Sequence, residues 1–206
     1  RDRFSRMKSI TSIEALEGLY DAPLPSPLAK VKKTLTPNYR KWISLARFVV
    51  LSTVGPEGAD ASPRGDIGPV VTIQNDNTLH LPDWRGNNRL DSLRNIVCDG
   101  RVSLMFMVPG CKNVVRVNGQ AILTDDVGLR TRFETKGRTP KTVIVITISE
   151  VYFQCAKALM RSEFWSGKDL SGNVPTAGEF ISEFTKGFDA KAYDKGYGAY
   201  AKDRMW

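Results

Sequence analysis

A single histidine, His80, in a chain of 206 residues removes most imidazole chemistry at the outset. Zinc sites draw on several His, Cys or carboxylate ligands, so a His-rich metal centre cannot be assembled from one copy, and a serine-hydrolase triad would have to use that one ring. Cysteine is also scarce. Cys98, Cys111 and Cys155 are odd in number, widely spaced and without a CxxC pair, and they read as small buried hydrophobes in a reducing cytosol. No apolar run approaches the ~18 residues of a membrane span. The opening RDRFSRMKSITS has no apolar stretch of the secretory kind, so a cytoplasmic protein without a membrane partner is expected. No GxGxxG sequence follows a strand, which excludes a Rossmann nucleotide domain. No basic run is interleaved with aromatics in the manner of single-strand binders, which weighs against a nucleic-acid-binding module.

What the chain does have is positive charge: 30 Lys and Arg against 22 Asp and Glu, a net +8. That excess suits nucleic acid or any anionic ligand, such as a phosphate ester. With 41% hydrophobic residues, a chain of this length can bury about 70% of its unfolded surface and form a core unaided.

Three regions differ in pattern. Residues 1–46 read as a helical extension. A short helix starts at Thr11 or Ser12 and ends near Gly18, prolines 23, 25 and 27 break regular structure, and Thr36-Pro37 opens a helix over Asn38–Ala46 with Tyr39, Trp42, Ile43 and Ala46 on one face. Residues 47–165 turn to strands. Phe48–Val54 and Ala59–Arg64 flank Gly55-Pro56-Glu57-Gly58 as one hairpin, and Val70–Ile73 and Thr78–Leu81 flank Asn75-Asp76-Asn77 as a second. A helix over Asn88–Val97 carries Leu90, Leu93 and Val97, and Arg101–Val108, Asn113–Leu123 and Thr142–Phe153 follow as strands, with a helix from Asp125-Asp126 to about Glu134 between the last two. Some six strands with short turns favour an antiparallel barrel, a mainly β fold with peripheral helices. Residues 166–206 form a tail with a short helix over Glu179–Lys186, packing on the barrel or on a partner subunit.

Three clusters carry chemistry. In Ala61-Ser62-Pro63-Arg64-Gly65-Asp66 a hydroxyl, a guanidinium and a glycine open to close backbone approach form an anion cradle, or merely a turn closing a hairpin. In Leu81-Pro82-Asp83-Trp84-Arg85-Gly86-Asn87-Asn88-Arg89 two arginines stand at a helix start, where backbone N–H groups favour a phosphate. The plainer alternative is that Asn87 or Asn88 caps the helix and the arginines are solvated. In Gln154–Ser162, Lys157 and Arg161 share a helical face at a spacing where like charges repel. That pair either flanks an anion or electron-rich ring, or is a solvated stripe.

The order SPRGD, PDWRGNNR, RVSLMFMVPG, VVRVNGQA and QCAKALMRS, running from about Phe48 to Trp165, resembles the pyridoxamine 5′-phosphate oxidase-like flavoproteins, and within them an FMN-dependent branch. The resemblance implies a six-stranded antiparallel split β-barrel homodimer with FMN at the subunit interface. It implies that Ser62, Arg64, Gly65 and Asp66 line the flavin, that Leu81, Pro82 and Asp83 pass along its ring and ribityl edge, and that Arg85, Asn88 and Arg89 hold its phosphate. It makes Asn118, Gln120, Lys157 and Arg161 candidates for further cofactor contacts from the same or the partner subunit, and the last two candidates for stabilising a reduced, anionic ring. Gln154 stands where relatives often carry His, so no catalytic residue is assigned. The C-terminal Trp and Arg context that pyridoxamine phosphate oxidases use for pyridoxal phosphate is not recognised, and that reaction is not assigned either. The expected activity is an FMN-dependent oxidoreductase acting on a small-molecule substrate. A flavin carrier or redox sensor without turnover is the alternative, and haem chemistry is disfavoured by the lone His80.

Overall fold

The computed structural model describes residues 7–22 and 29–206. Prolines 23, 25 and 27 and the charges of residues 1–6 lie outside the described residues. The chain divides into two units, Arg1–Val31 and Lys32–Trp206. In the first, α1 (Ile13–Glu17) is capped by Ser12, whose Oγ accepts from the Ala15 N–H at 3.1 Å, and none of its residues is buried.

The second unit opens with α2 (Pro37–Ile43). Thr36 is its N-cap and Pro37 its first residue, a position where the missing proline N–H costs nothing. The helix is shorter than its sequence pattern suggests, but its apolar face is as expected: Tyr39 and Ile43 are buried, and Ala46 continues the same seam.

Seven strands follow: β1 (Phe48–Gly55), β2 (Gly58–Gly65), β3 (Thr72–Asn75), β4 (Thr78–Asp83), β5 (Arg101–Met107), β6 (Val114–Thr124) and β7 (Thr142–Gln154). They form one antiparallel sheet in the order β2-β1-β5-β6-β7-β4-β3. The expected count was some six, yet each of the seven corresponds to a segment the sequence already marks as strand-like, Ala59–Arg64 among them. β2, with the composition GADASPRG, has no apolar alternation to announce it, yet it pairs with β1 along its whole length and tolerates Pro63 because its outer side has no neighbour to hydrogen-bond. Both sequence-read hairpins form, β1–β2 and β3–β4.

Alternate residues of the central strands fill the interior: Val49 and Leu51 from β1, Leu104 and Phe106 from β5, Val115 and Val117 from β6, Ile144 and Ile146 from β7. β4 departs from alternation, with Leu79, His80, Leu81 and Pro82 all buried. Strand alternation turns His80 away from the Leu79/Leu81 face, but that side is covered too, leaving the residue 7% exposed and its Nδ1 without a partner. Burial, helped by the nearby Arg132 charge, lowers its pKa. It therefore stays neutral at neutral pH, and the stability it permits falls as pH drops below the ordinary imidazole range, where only the unfolded chain readily binds the proton.

Helix α3 (Asp91–Cys98) packs on β1 and β6, burying Ser92, Leu93 and Ile96. Of the expected apolar side of Leu90, Leu93 and Val97 only Leu93 is buried, and Leu90 and Val97 are exposed. The helix begins three residues later than its sequence pattern suggests, and polar bonds turn its face: Asn95 donates to Thr53 Oγ1 at 3.1 Å and Ser92 Oγ donates to the Asp60 carboxylate. Nor are the cysteines buried. Cys98 and Cys155 are exposed and Cys111 is half-buried, all free.

The remaining helices are α4 (Val127–Thr131), α5 (Lys157–Arg161), α6 (Ala177–Phe184) and α7 (Ala190–Lys202). Thr176 and Glu179 form a reciprocal capping box on α6, with Thr176 Oγ1 accepting from the Glu179 N–H at 3.1 Å and the Glu179 carboxylate from the Thr176 N–H at 2.7 Å. Thr176→Ala is expected to lose about 1 kcal/mol locally. Hydrogen exchange should show faster exchange confined to α6 and its packing partner α7, and exchange that quickens equally in the sheet would contradict a local role.

Candidate functional site

β2 and β4 are not hydrogen-bond neighbours, standing first and sixth in the sheet order. Even so, Arg64 of β2 forms an ion pair with Asp83 of β4. Trp84 Nε1, just past β4, also donates to Asp66 Oδ2 at 3.2 Å, just past β2. The sheet therefore curls until its ends nearly meet, and the gap between them is the split of the barrel. A cleft of about 530 Å³ opens there, within the ~300–1,000 Å³ usual for small-molecule sites.

Its walls are the end of β2 from Ser62 to Asp66, the end of β4 from Leu81 to Asp83, the loop from Trp84 to Leu90 ahead of α3, and the start of β7 at Lys141 and Thr142. Ten residues singled out in the sequence meet here: Ser62, Arg64, Gly65, Asp66, Leu81, Pro82, Asp83, Arg85, Asn88 and Arg89. Arg64 is the most constrained, its Nε donating to Ser62 Oγ at 3.1 Å while its other arm holds Asp83. Asp66 is likewise committed, to the Trp84 indole and to its neighbour's N–H at Ile67, 2.7 Å away.

The loop settles the capping alternative. α3 starts at Asp91, and its cap position is Leu90, with no side-chain cap. Asn87 accepts from the Arg89 N–H at 3.0 Å and Asn88 sits at φ 61°, so both asparagines shape a turn and leave the first N–H groups of α3 without a side-chain partner. Arg89 leans on Asp91 at 2.6 Å. Arg85 and Lys141 are exposed cations with no acidic partner among the described residues. The cleft thus offers free positive charge and free backbone donors at one end and a bonded polar frame at the other.

Four residues named from sequence do not join the cleft of their own chain. Asn118, on β6, donates to Glu150 at 2.6 Å and leaves its buried Oδ1 unpaired. Gln120 is exposed opposite Arg101, and Lys157 and Arg161 are exposed on α5. Conversely, Trp84, Lys141, Thr142, Met205 and Trp206 line the cleft without having been singled out. Trp84 lay inside a motif already read. Lys141 and Thr142 arrive through the β4–β7 register, which sets Thr142 opposite Asp83. Thr142 Oγ1 is buried and unpaired beside the cleft, an acceptor and donor left open. Among the described residues no group of three or more His, Cys, Asp or Glu side chains could hold a metal ion.

Comparison with known proteins extends this picture. No curated protein sequence matches the chain. Solved structures that resemble it include HupZ of Group A Streptococcus (17% identity, TM-score 0.46, over 57% of this chain and 91% of that one). A candidate pyridoxamine 5′-phosphate oxidase of Lactobacillus delbrueckii is similar at 22% identity and TM-score 0.45, over 59% and 95%. An FMN-binding protein of Syntrophomonas wolfei is similar at 16% and 0.40, over 56% and 88%. Those likenesses are too distant to carry function. The family model described as pyridoxamine 5′-phosphate oxidase, however, matches residues 35–155, more than half the chain and the whole sheet with its cleft loop. This chain belongs to the pyridoxamine 5′-phosphate oxidase family.

Proposed function

We propose that the cleft binds FMN and that the protein is an FMN-dependent oxidoreductase acting on a small organic substrate as a homodimer. The observation that carries the reading is the loop from Arg85 to Arg89. It brings an unpaired guanidinium, a second arginine and the uncapped N-terminus of α3 to one end of a cleft whose far side is a fixed polar frame. A dianionic phosphate at that end would take up those donors. Ser62, Arg64, Asp66 and Asp83 would then face the ring and ribityl chain, and Thr142 offers one further hydroxyl. FMN, when bound, supplies the electron and hydride chemistry, while the protein supplies binding and electrostatics.

Lys157 and Arg161, which lie off this cleft in one chain, would reach a cofactor only across a subunit boundary, and the proposed homodimer includes that role. One observation supports the second reading, a flavin carrier or sensor without turnover: the cleft presents no imidazole or thiol for proton transfer, since His80 is buried and the three cysteines lie elsewhere. Reduction by a nicotinamide donor followed by reoxidation with a panel of acceptors separates the two.

Purified protein is expected to be yellow, to keep its colour at high salt, and to release a flavin that phosphatase converts to riboflavin. Salt would instead strip a nucleic acid steeply. Arg85→Ala is expected to raise the FMN dissociation constant about tenfold, the effect of one charge-assisted contact at an exposed position. A colourless protein that also fails to bind added FMN would overturn the proposal.

A further inference from the structure

The cleft has one wall that the family segment does not supply. Met205 and Trp206 line it, although the family match ends at residue 155. They are delivered by the strap that leaves α7, and its fastening is specific. Arg138 Nη1 donates to the Asp203 carbonyl at 2.9 Å and to the Trp206 carbonyl, and Lys136 Nζ lies 4.6 Å from the centre of the Trp206 ring. Both cations belong to one tight turn, closed by the pairing of Thr135 with Arg138. The turn therefore fixes both the backbone and the indole of the strap.

Two indoles, Trp84 and Trp206, now share the wall of one cleft with Lys141, a cation that has no acidic partner among the described residues. Flat aromatic faces next to a free ammonium suit a planar ring carrying a carboxylate. The manner of fastening decides which ligand Trp206 serves. A cofactor held through many turnovers needs no removable wall, whereas a ligand that enters and leaves each cycle does. The strap is held by carbonyl bonds and one cation–π contact at the surface, with Met205 48% exposed, so it can open at low cost.

We propose that Trp206 is a binding residue for the second ligand of the cleft, selecting a planar aromatic carboxylate by stacking, with Lys141 receiving the carboxylate. This rests on the FMN reading for the identity of the first ligand, but not for its test. Benzoate and cyclohexanecarboxylate carry the same charge at similar size and differ in planarity. Titrated into the FMN-loaded protein and followed by flavin absorbance, and into flavin-free protein by calorimetry, benzoate is expected to bind about tenfold more tightly than the saturated acid. Trp206→Ala is expected to abolish that preference and Trp206→Phe to keep most of it. Arg138→Ala, which keeps the indole in the chain but releases it from its position in the cleft, should behave like Trp206→Ala, and FMN affinity should change less than twofold in all three. A ring preference that survives Trp206→Ala, or an FMN affinity that falls in step with benzoate binding, overturns the proposal, as does wild-type protein that prefers neither acid. Ring preference seen by calorimetry in a protein that binds no FMN would sink the cofactor reading and uphold this one.

Discussion

Gly119→Ala is expected to lower the midpoint of thermal unfolding by about 10 °C, from a loss of about 3 kcal/mol at roughly 2–4 °C per kcal/mol for a chain of this size. Gly119 sits in β6 where the register against β7 shifts, between Asn118 and Gly119. A Cβ there would stand 2.1 Å from the Thr147 carbonyl oxygen, 3.1 Å from its carbon and 3.4 Å from Ile148 Cα. Every one of those atoms is backbone, held in the ladder of the strand that also carries the start of the cleft. A flexible side chain could swing aside; this backbone cannot move without breaking the β6–β7 pairing or straightening the bulge. The comparison is Gly196→Ala, in α7, where an added Cβ meets nothing within 4 Å and alanine should be neutral or stabilising by up to about 1 kcal/mol. Were Gly119→Ala to melt within about 2 °C of wild type, the bulge would have to be a soft feature of the sheet and not a fixed one.

The same bulge illustrates what the sequence made legible and what it did not. Both hairpins were readable because Gly55-Pro56-Glu57-Gly58 and Asn75-Asp76-Asn77 report a local backbone need within a few residues. The loop proposed to take the phosphate was readable for the same reason, its arginines and asparagines being neighbours in the chain. Its detail was not: whether Asn88 caps a helix or turns the chain at positive φ depends on where α3 can dock, and that is decided by Asn95 meeting Thr53 and Ser92 meeting Asp60. β2 was legible only through its turn, since an edge strand needs no apolar alternation of its own. Lys141 reached the cleft through strand register, and Trp206 through a turn some seventy residues earlier in the chain, at Lys136 and Arg138. Neither leaves a local trace. Residues such as Lys157 and Arg161 were conspicuous for unmatched charge, a signal that says an anion would be welcome without saying where it would sit.

Arg64→Ala is expected to weaken FMN binding about a hundredfold, close to 2.7 kcal/mol, and to destabilise the fold by about 2 kcal/mol. The second figure is discounted from the ~3–5 kcal/mol of a fully buried pair broken on one side, because the Arg64 and Asp83 side chains are 20% and 16% exposed. Both effects have one origin. Arg64 ties the two ends of the curled sheet together through Asp83 and is itself aimed by Ser62 at 3.1 Å. Without it the cleft keeps a carboxylate whose nearest compensation is gone, and an anionic ligand would meet that carboxylate directly. The double variant Arg64→Ala/Asp83→Ala separates the two consequences, since residues in contact are not additive. Removing the orphaned carboxylate should return part of the lost stability, which chemical denaturation would read as a midpoint between those of wild type and Arg64→Ala. FMN affinity should stay low, because the guanidinium that faces the ligand is still missing. If the double variant instead recovers both, Arg64 acts only by neutralising Asp83. If Arg64→Ala is as stable as wild type, the barrel's split is not fastened by this pair, and the shape of the cleft must be set by the Asp66–Trp84 bond alone.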